Sequence, residues 1–510
     1  MSQSLPERPH PDHLRAQAKE LLRKARSGDP EASRQIGEPL ALHGAQIAIA
    51  RSYDFPSWPK LIEHVEAIRA KLGIDDAVVE RFLAAATEGK TETVRRLLEL
   101  YPGLPGHNIE CALACGNVAY LTSESRISHL ESRKFDISTG DGKQAVTALE
   151  VVAYSCVHQV RPEAYEGQFE CVRMLLDNGA DPNAHFIWGG DAKIPVLYGA
   201  SSVSGHAGIT RLLLERGANP NDGESVYHSA QLDREEILEI LVAHGADIGS
   251  LDKTYQNTPL YFLAGHRPTD PNAAAAAKGM LWLLEHGADP NIITPRTGEA
   301  PLHTLALKGW GEDLIVSFLE HSADPNLPGP NERTPYLFAK IVGNVAAAEA
   351  MERFGAIDTL SVEERAAATL AAAGKAALPE RSPHLDFLFV KLAEIGNLAG
   401  VRSFLDAGMP IEASGEMGTT ALHWAAFCGW ADLVDFLIER GAPLEIEDRE
   451  FHATPFGWGL HAICNHRTPG GDYIRLLRRF LQAGAPRELL LDVLQNENAP
   501  DDLVQVFEQT

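Results

Sequence analysis

Across 510 residues the chain carries 70 acidic against 45 basic side chains, a formal net charge of −25. That balance excludes a nucleic-acid ligand, because phosphate recognition needs basic surface and released counterions. No apolar run reaches the ~18 residues of a membrane span, so no membrane partner is expected, and the polar start lacks the apolar core of a signal peptide.

In chain order, residues 1–75 stand apart. Ten Lys/Arg against nine Asp/Glu in the first 70 leave +1, so the remainder carries −26. Residues 13–25 space Leu14, Ala18, Leu21 and Leu22 for an amphipathic helix that stops near Ser27-Gly28-Asp29-Pro30. A second helix is predicted over 42–53, ended by the Asp54-Phe55-Pro56-Ser57-Trp58-Pro59 turn. A third follows over 60–70, with Leu61, Val65 and Ile68 inward.

From residue 76 a phrase recurs: a leucine-rich helix, a glycine, then a short polar tail. It reads LLDNGADPN at 175–183, LLERGANPN at 213–221, LVAHGADIG at 241–249, LLEHGADPN at 283–291 and FLEHSADPN at 318–326. Weaker copies begin at Phe354, Leu405, Leu437 and Leu481. Counting Ser322 in place of one glycine, the steps from Gly179 are 38, 28, 42, 35, 33, 53, 33 and 43 residues. A stretched but recurring period marks a stacked repeat protein. Glycine supplies the left-handed helix terminus, and the Asp-Pro-Asn tail starts a turn. Upstream of several of these phrases lies the second half of the unit, a helix started by Thr, Pro or both: NTPLYFLA at 257–264, APLHTLA at 300–306, RTPYLFA at 333–339, TALHWAA at 420–426 and ATPFGWGL at 453–460. Threonine caps the helix and proline sits at its first position, where no amide hydrogen is needed.

These two halves resemble the ankyrin repeat: turn, TPLHxAA helix, glycine break, second helix, then GADxN leading to a projecting hairpin. The match is specific at 420–426 with Gly429 and 441–445, and nearly so at 301–306 with Gly309 and 323–326. The resemblance implies an all-α ankyrin-repeat solenoid of roughly eleven helix-turn-helix units with helical caps. It divides the chain into an N-terminal helical cap (1–75), a first sub-stack (76–358), a degenerate repeat or hinge (359–383), a second sub-stack (384–487) and a C-terminal helical cap (488–510). The start LRAQAKELL with DFPSWPKL resembles a helical segment on many uncharacterised bacterial ankyrin-repeat proteins, and a cover over the first exposed repeat is what a solenoid requires. The resemblance also makes the TPLH histidines, His303 and His423, structural bridges between turns.

Insertions interrupt the stack at 120–143, 159–167, 266–278 and 465–472. In repeat proteins such lengths map to loops, often on the binding side. The alanine-rich block 361–383 lacks both the TPLH start and the GAD tail.

Chemistry-bearing motifs are few. There is no HExxH, no phosphate-binding glycine loop, no GxSxG and no zinc spacing. The expectation is therefore no enzyme, no catalytic residue, no metal and no cofactor. Six scattered cysteines (111, 115, 156, 171, 428 and 464) form no CxxC pair and read as free thiols of a reducing, cytoplasmic compartment. Cys111 and Cys115 share a helical face without further ligands and read as core. Trp424, Phe427, Trp430, Phe451, Phe456, Trp458 and His461 crowd into forty residues. They pack between repeats or, with Trp424, Trp430, Trp458 and His461, line an aromatic pocket.

In ankyrin proteins partners touch the hairpin tips before TPLH and the edge of the first helix. Carried over, the resemblance implies partner-binding positions at Tyr255, Asn257, Arg296, Thr297, Glu299, Arg333, Glu416, Met417 and Thr419, with Lys308 and Phe427 at the helix edge. The expected function is an intracellular, monomeric scaffold for an unidentified partner protein. A small-molecule sensor or enzyme using 424–461, and a bacterial effector directed at a host protein, are the alternatives.

Overall fold

The computed structural model describes residues 5–6, 11–26, 29–37, 42–122, 130, 133–139, 142–188, 192–252, 256–268, 270–329, 332–465, 467–468, 470–494, 503 and 506. The chain is mostly helical, 60% helix with little strand, as a stack of helix pairs. Among the described residues there are eleven pairs, from Asp76–Thr87 with Thr91–Leu100 to Pro455–Asn465 with Tyr473–Gln482. Each first helix packs on the next first helix, as Pro301–Lys308 does on Pro335–Ile341. Second helices pack on the next second helix in much of the stack, as Glu312–Glu320 does on Val345–Arg353. One continuous apolar core runs from Val78 to Val506. A solenoid achieves this because every unit buries its apolar faces only against its neighbours.

The recurring sequence elements do the expected work. The hydroxyl of Thr258 accepts from the Tyr261 amide at 3.1 Å, and that of Thr334 from the Leu337 amide at 3.3 Å, each with proline at the first helical position. His423 Nδ1 accepts from the Thr420 amide at 3.1 Å while its Nε2–H donates to the Ala453 carbonyl at 3.2 Å, thirty residues on. His303 makes the same bridge from the Ala300 amide to the Arg333 carbonyl. Burial pushes His303 down to about 4 and His423 down too, so both are neutral bridging groups.

The GADPN asparagine does more than start a turn. Asn183, Asn221, Asn291 and Asn326 each donate from the side-chain amide to the helix-ending carbonyl of the next unit, at Gly217, Gly245, Ser322 and Gly355. Each also accepts a backbone amide from that unit, at Asn219, Asp247, Asp324 and Ile357. An amide side chain is the group that can donate and accept at once, so it staples one turn to the next. At Gly249 the staple is missing, because glycine has no side chain there.

Four features differ from the sequence expectation. The first helix ends at Arg26 as expected, but a further short helix, Pro30–Ile36, then starts, because Asp29 caps it by accepting from the Glu31 and Ala32 amides. The insertion at 120–143 is partly β-structure: strands β1 (Lys134–Thr139) and β2 (Gly142–Thr147) form an antiparallel hairpin, burying Phe135, Ile137 and Val146. A second hairpin, β3 (His185–Trp188) with β4 (Ala192–Pro195), leaves the turn after the GADPN tail. The alanine run after 266 lengthens a second helix, Ala273–Glu285, instead of forming a loop.

Helix Val362–Ala371 is a half unit. It packs on Pro335–Ile341 and on Leu398–Asp406, and the chain from 372 to 382 supplies no second helix for it. The four N-terminal helices hold small cores of their own around Leu14, Ala50, Tyr53, Leu61 and Val65, and around Ala18, Leu22 and Ala45. The last of these helices, Trp58–Leu72, lies against Thr91–Leu100. At the far end, Arg487–Leu494 packs on Pro455–Asn465, and most of 495–510 lies outside the described residues. No helix among the described residues is long and apolar enough to cross a membrane.

Candidate interaction surface

The sequence-predicted tip residues separate into exposed and internally engaged sets. Arg296 and Thr297 are exposed. Thr297 Oγ1 lies 2.9 Å from the Tyr261 hydroxyl, which also donates to Glu299 Oε2 at 3.3 Å. Glu299 is partly buried and accepts from Thr304 Oγ1 at 3.2 Å. Burial raises its pKa, opposed by Thr304, Lys391, Tyr261 and Lys308. Asn257 is partly buried and its carbonyl accepts from Tyr227. Arg333 pairs with Glu364 at 3.2 Å, and Thr419 is buried, accepting from Trp424 Nε1–H at 3.1 Å. Met417 holds a left-handed backbone (φ 58°) in the turn Glu416–Gly418, and its carbonyl takes the Arg449 amide. Tyr255 lies outside the described residues.

Lys308 is drawn inward. Its Nζ donates to Glu394 Oε1 at 3.0 Å, across 86 residues of sequence, and Arg267 donates to the same oxygen at 3.4 Å across 127. Lys391 donates to Glu394 Oε2 at 2.6 Å, and Trp430 Nε1–H donates to the Glu394 carbonyl at 3.0 Å. Glu394 is 3% exposed. Burial alone would raise its pKa, but Lys391, Lys308 and Arg267 outweigh it and hold the carboxylate well below the usual range. This hub ties Arg267 and Lys308, before the half unit, to Lys391 and Trp430, after it. No spacing in the sequence points to it.

The aromatic residues divide likewise. Trp458 is 6% exposed and donates to Asp448 Oδ2 at 2.9 Å. Trp424, Phe427, Phe451 and His423 surround it at ring-centroid distances of 5.3, 5.5, 6.2 and 5.6 Å, all edge-on. Rings therefore occupy the middle of the cluster. Trp430 lies over Gly396 toward the hub, and His461 stands exposed on the far turn of its helix. Phe451, by contrast, is 65% exposed. Its turn is held by Asp448, which accepts the Glu450, Phe451 and Ala453 amides. Burial raises the Asp448 pKa, but these donors and Trp458 prevail and bring it to about 2.

Reactive chemistry is sparse among the described residues. Cys111 and Cys115 are buried, and burial pushes both thiols up, Cys115 to about 12, which leaves no thiolate at neutral pH. No group of three or more His, Cys, Asp or Glu that could hold a metal ion occurs among them.

Comparison with known proteins agrees with this architecture. The ankyrin-repeat family in three copies matches residues 163–252, and the single ankyrin repeat matches residues 417–449. The chain carries ankyrin repeats. It is 30% identical over 80 residues to Palmitoyltransferase Hip14 of Drosophila melanogaster, covering 16% of this chain and 13% of that protein. It is 34% identical over 131 residues to Ankyrin repeat protein nuc-2 of Neurospora crassa, covering 24% of this chain and 11% of that one. The chain thus spans about an eighth or less of these relatives' length, and the palmitoyltransferase likeness falls within the ankyrin repeats.

Proposed function

We propose that this chain is a non-enzymatic, monomeric scaffold of the cytoplasm that docks a partner protein on its turn tips and first-helix edges. The observation that carries the reading is Phe451. A large apolar ring, 65% exposed, stands on an over-determined turn beside the partly exposed Trp424 and Phe427. Burying an exposed aromatic gives a partner most of its affinity, and a pre-ordered turn keeps the entropy cost low. Arg296 and Thr297 extend the same kind of surface on an earlier repeat. The N-terminal segment supports a bacterial lineage through its likeness to such proteins.

The test places a photo-crosslinking benzoylphenylalanine at position 451 of the full chain, in lysate of its source cell. A control carries it at Val345, 48% exposed at the start of a second helix away from the tips. A discrete adduct from 451 alone, lost when Arg296 and Thr297 become alanine or when Trp424→Phe is introduced, supports the docking face. Equal labelling from both positions, or none from 451, overturns it.

A further inference from the structure

In the first repeats the two hairpins lie side by side over the first helices and flank a half-open cavity of about 420 Å³. Its walls are largely apolar: Ile137 and Val146 from β1 and β2, Phe186, Trp188 and Ile194 from β3 and β4, and Tyr154 and Tyr198 from the helices beneath. The rings form a continuous series, with Trp188–Phe186, Phe186–Tyr154 and Tyr154–Tyr198 centroids 6.5, 5.5 and 6.1 Å apart. The fold makes room for Tyr154 at Gly199, where a Cβ would meet the ring at 2.2 Å, and Gly199 opens a π-helical turn, Gly199–Ser204. Such turns recur at functional sites.

Three glutamates line this apolar space, Glu88, Glu150 and Glu224, together with His228, and no Lys or Arg lines it among the described residues. Glu88 is paired with Lys90, and Glu224 lies 3.2 Å from His228. Glu150 is different. Its Oε2 accepts from the Thr147 amide at 2.6 Å and hydroxyl at 2.8 Å in a helix-capping box. Its Oε1 has no hydrogen-bond partner although the residue is only 1% exposed. A buried carboxylate oxygen left without a donor is costly. Burial, then the nearby Tyr198, Glu150, Asp222 and Glu224, push the Tyr154 hydroxyl well above its usual range.

We propose that this cavity binds a protonated organic amine, with the ammonium donating to Glu150 Oε1 and its apolar body held among Tyr154, Phe186, Trp188 and Tyr198. Aromatic faces attract cations, and desolvation strengthens that attraction. The volume matches a small-ligand pocket with a few convergent polar groups. The site is separate from the docking face at Phe451, so either can fail alone.

The experiment is calorimetric titration of the full chain at low salt with phenethylammonium and with its neutral isostere 2-phenylethanol. A third ligand, the capped peptide Gly-Gly-Lys-Gly-Gly, distinguishes a free amine from a lysine side chain of a partner. Phenethylammonium or the lysine peptide should bind at least about tenfold more tightly than the alcohol, and whichever is tighter identifies the source. Glu150→Gln should erase that preference without shifting the denaturation midpoint, since glutamine also serves the capping box. Trp188→Ala should weaken phenethylammonium by about fivefold or more. Equal affinity for amine and alcohol, an intact preference in Glu150→Gln, or no heat with either amine up to about 10 mM overturns the proposal.

Discussion

Glu394 and Glu150 sit on first helices of different repeats and are both almost fully buried, yet their surroundings differ in kind. Three cations and a tryptophan close around Glu394, so every strong donor it needs comes from the chain itself. Glu150 spends one oxygen on its own helix cap and leaves the other, buried in the pocket wall, without a donor; no Lys or Arg lines that pocket among the described residues, and its His228 faces Glu224. Burial of charge is tolerated where partners are supplied. A carboxylate whose partners all lie within the fold therefore reads as architecture, and one with a buried oxygen left without a donor in a pocket wall reads as a site.

Substitutions separate the two most sharply. Glu394→Ala leaves three cations facing one another in a water-poor joint and should cost about 3–5 kcal/mol in urea denaturation. A loss under about 1 kcal/mol would show that the hub is solvated and break the contrast. Acid comes next. Burial lowers His206 and His303, in two different repeats, to about 4 against an unfolded value near 6.5. The unfolded chain binds these protons first, so stability is whole above about pH 6.5 and falls toward pH 4, by on the order of 3 kcal/mol for each histidine. Glu394, held low when folded, behaves as a depressed carboxylate. Its contribution is complete above about pH 4.5 and disappears only below that. Thermal melts from pH 7 to pH 3 should show the histidine loss first, and His303→Gln should flatten its share of the upper limb.

Smaller effects refine the picture. Lys308→Ala removes one of the hub's cations and should cost about 1–2 kcal/mol, because Lys391 and Arg267 remain on the carboxylate. Glu150→Gln should change stability by no more than about 0.5 kcal/mol, as the cap is preserved and no internal ion pair is lost. A drop of about 2 kcal/mol or more there would make Glu150 a structural group like Glu394.

Much of the fold was legible from local chemistry. Thr258 and Thr334 announce helix starts, the glycines at 179, 217, 287 and 441 announce helix ends, and their left-handed φ angles follow from that role. The bridging histidines of the TPLH phrase were legible by resemblance. The asparagine staple was present in every GADPN copy but reads as a turn former until the next repeat is placed beside it. The strands 185–188 and 192–195 had a signal, β-prone HFIW and AKIP on either side of Gly-Gly-Asp in the sequence, which the dominant helical period masks. The engagement of Lys308, Arg333 and Thr419 inside the molecule was not legible, since a tip residue and an inter-repeat contact share one sequence position.

By itself, the sequence determined the repeat, its helix pair and the caps that bound each helix. In a solenoid neighbours in sequence are neighbours in space, so these features are written within one period. The meeting of Arg267 and Lys308 with Glu394, the rings gathered around Trp458 and the cavity over Glu150 were decided only by the tertiary structure. Those contacts depend on how successive units are rotated and on where the half unit and the hairpins interrupt them. They bring together side chains up to 127 residues apart that share no period.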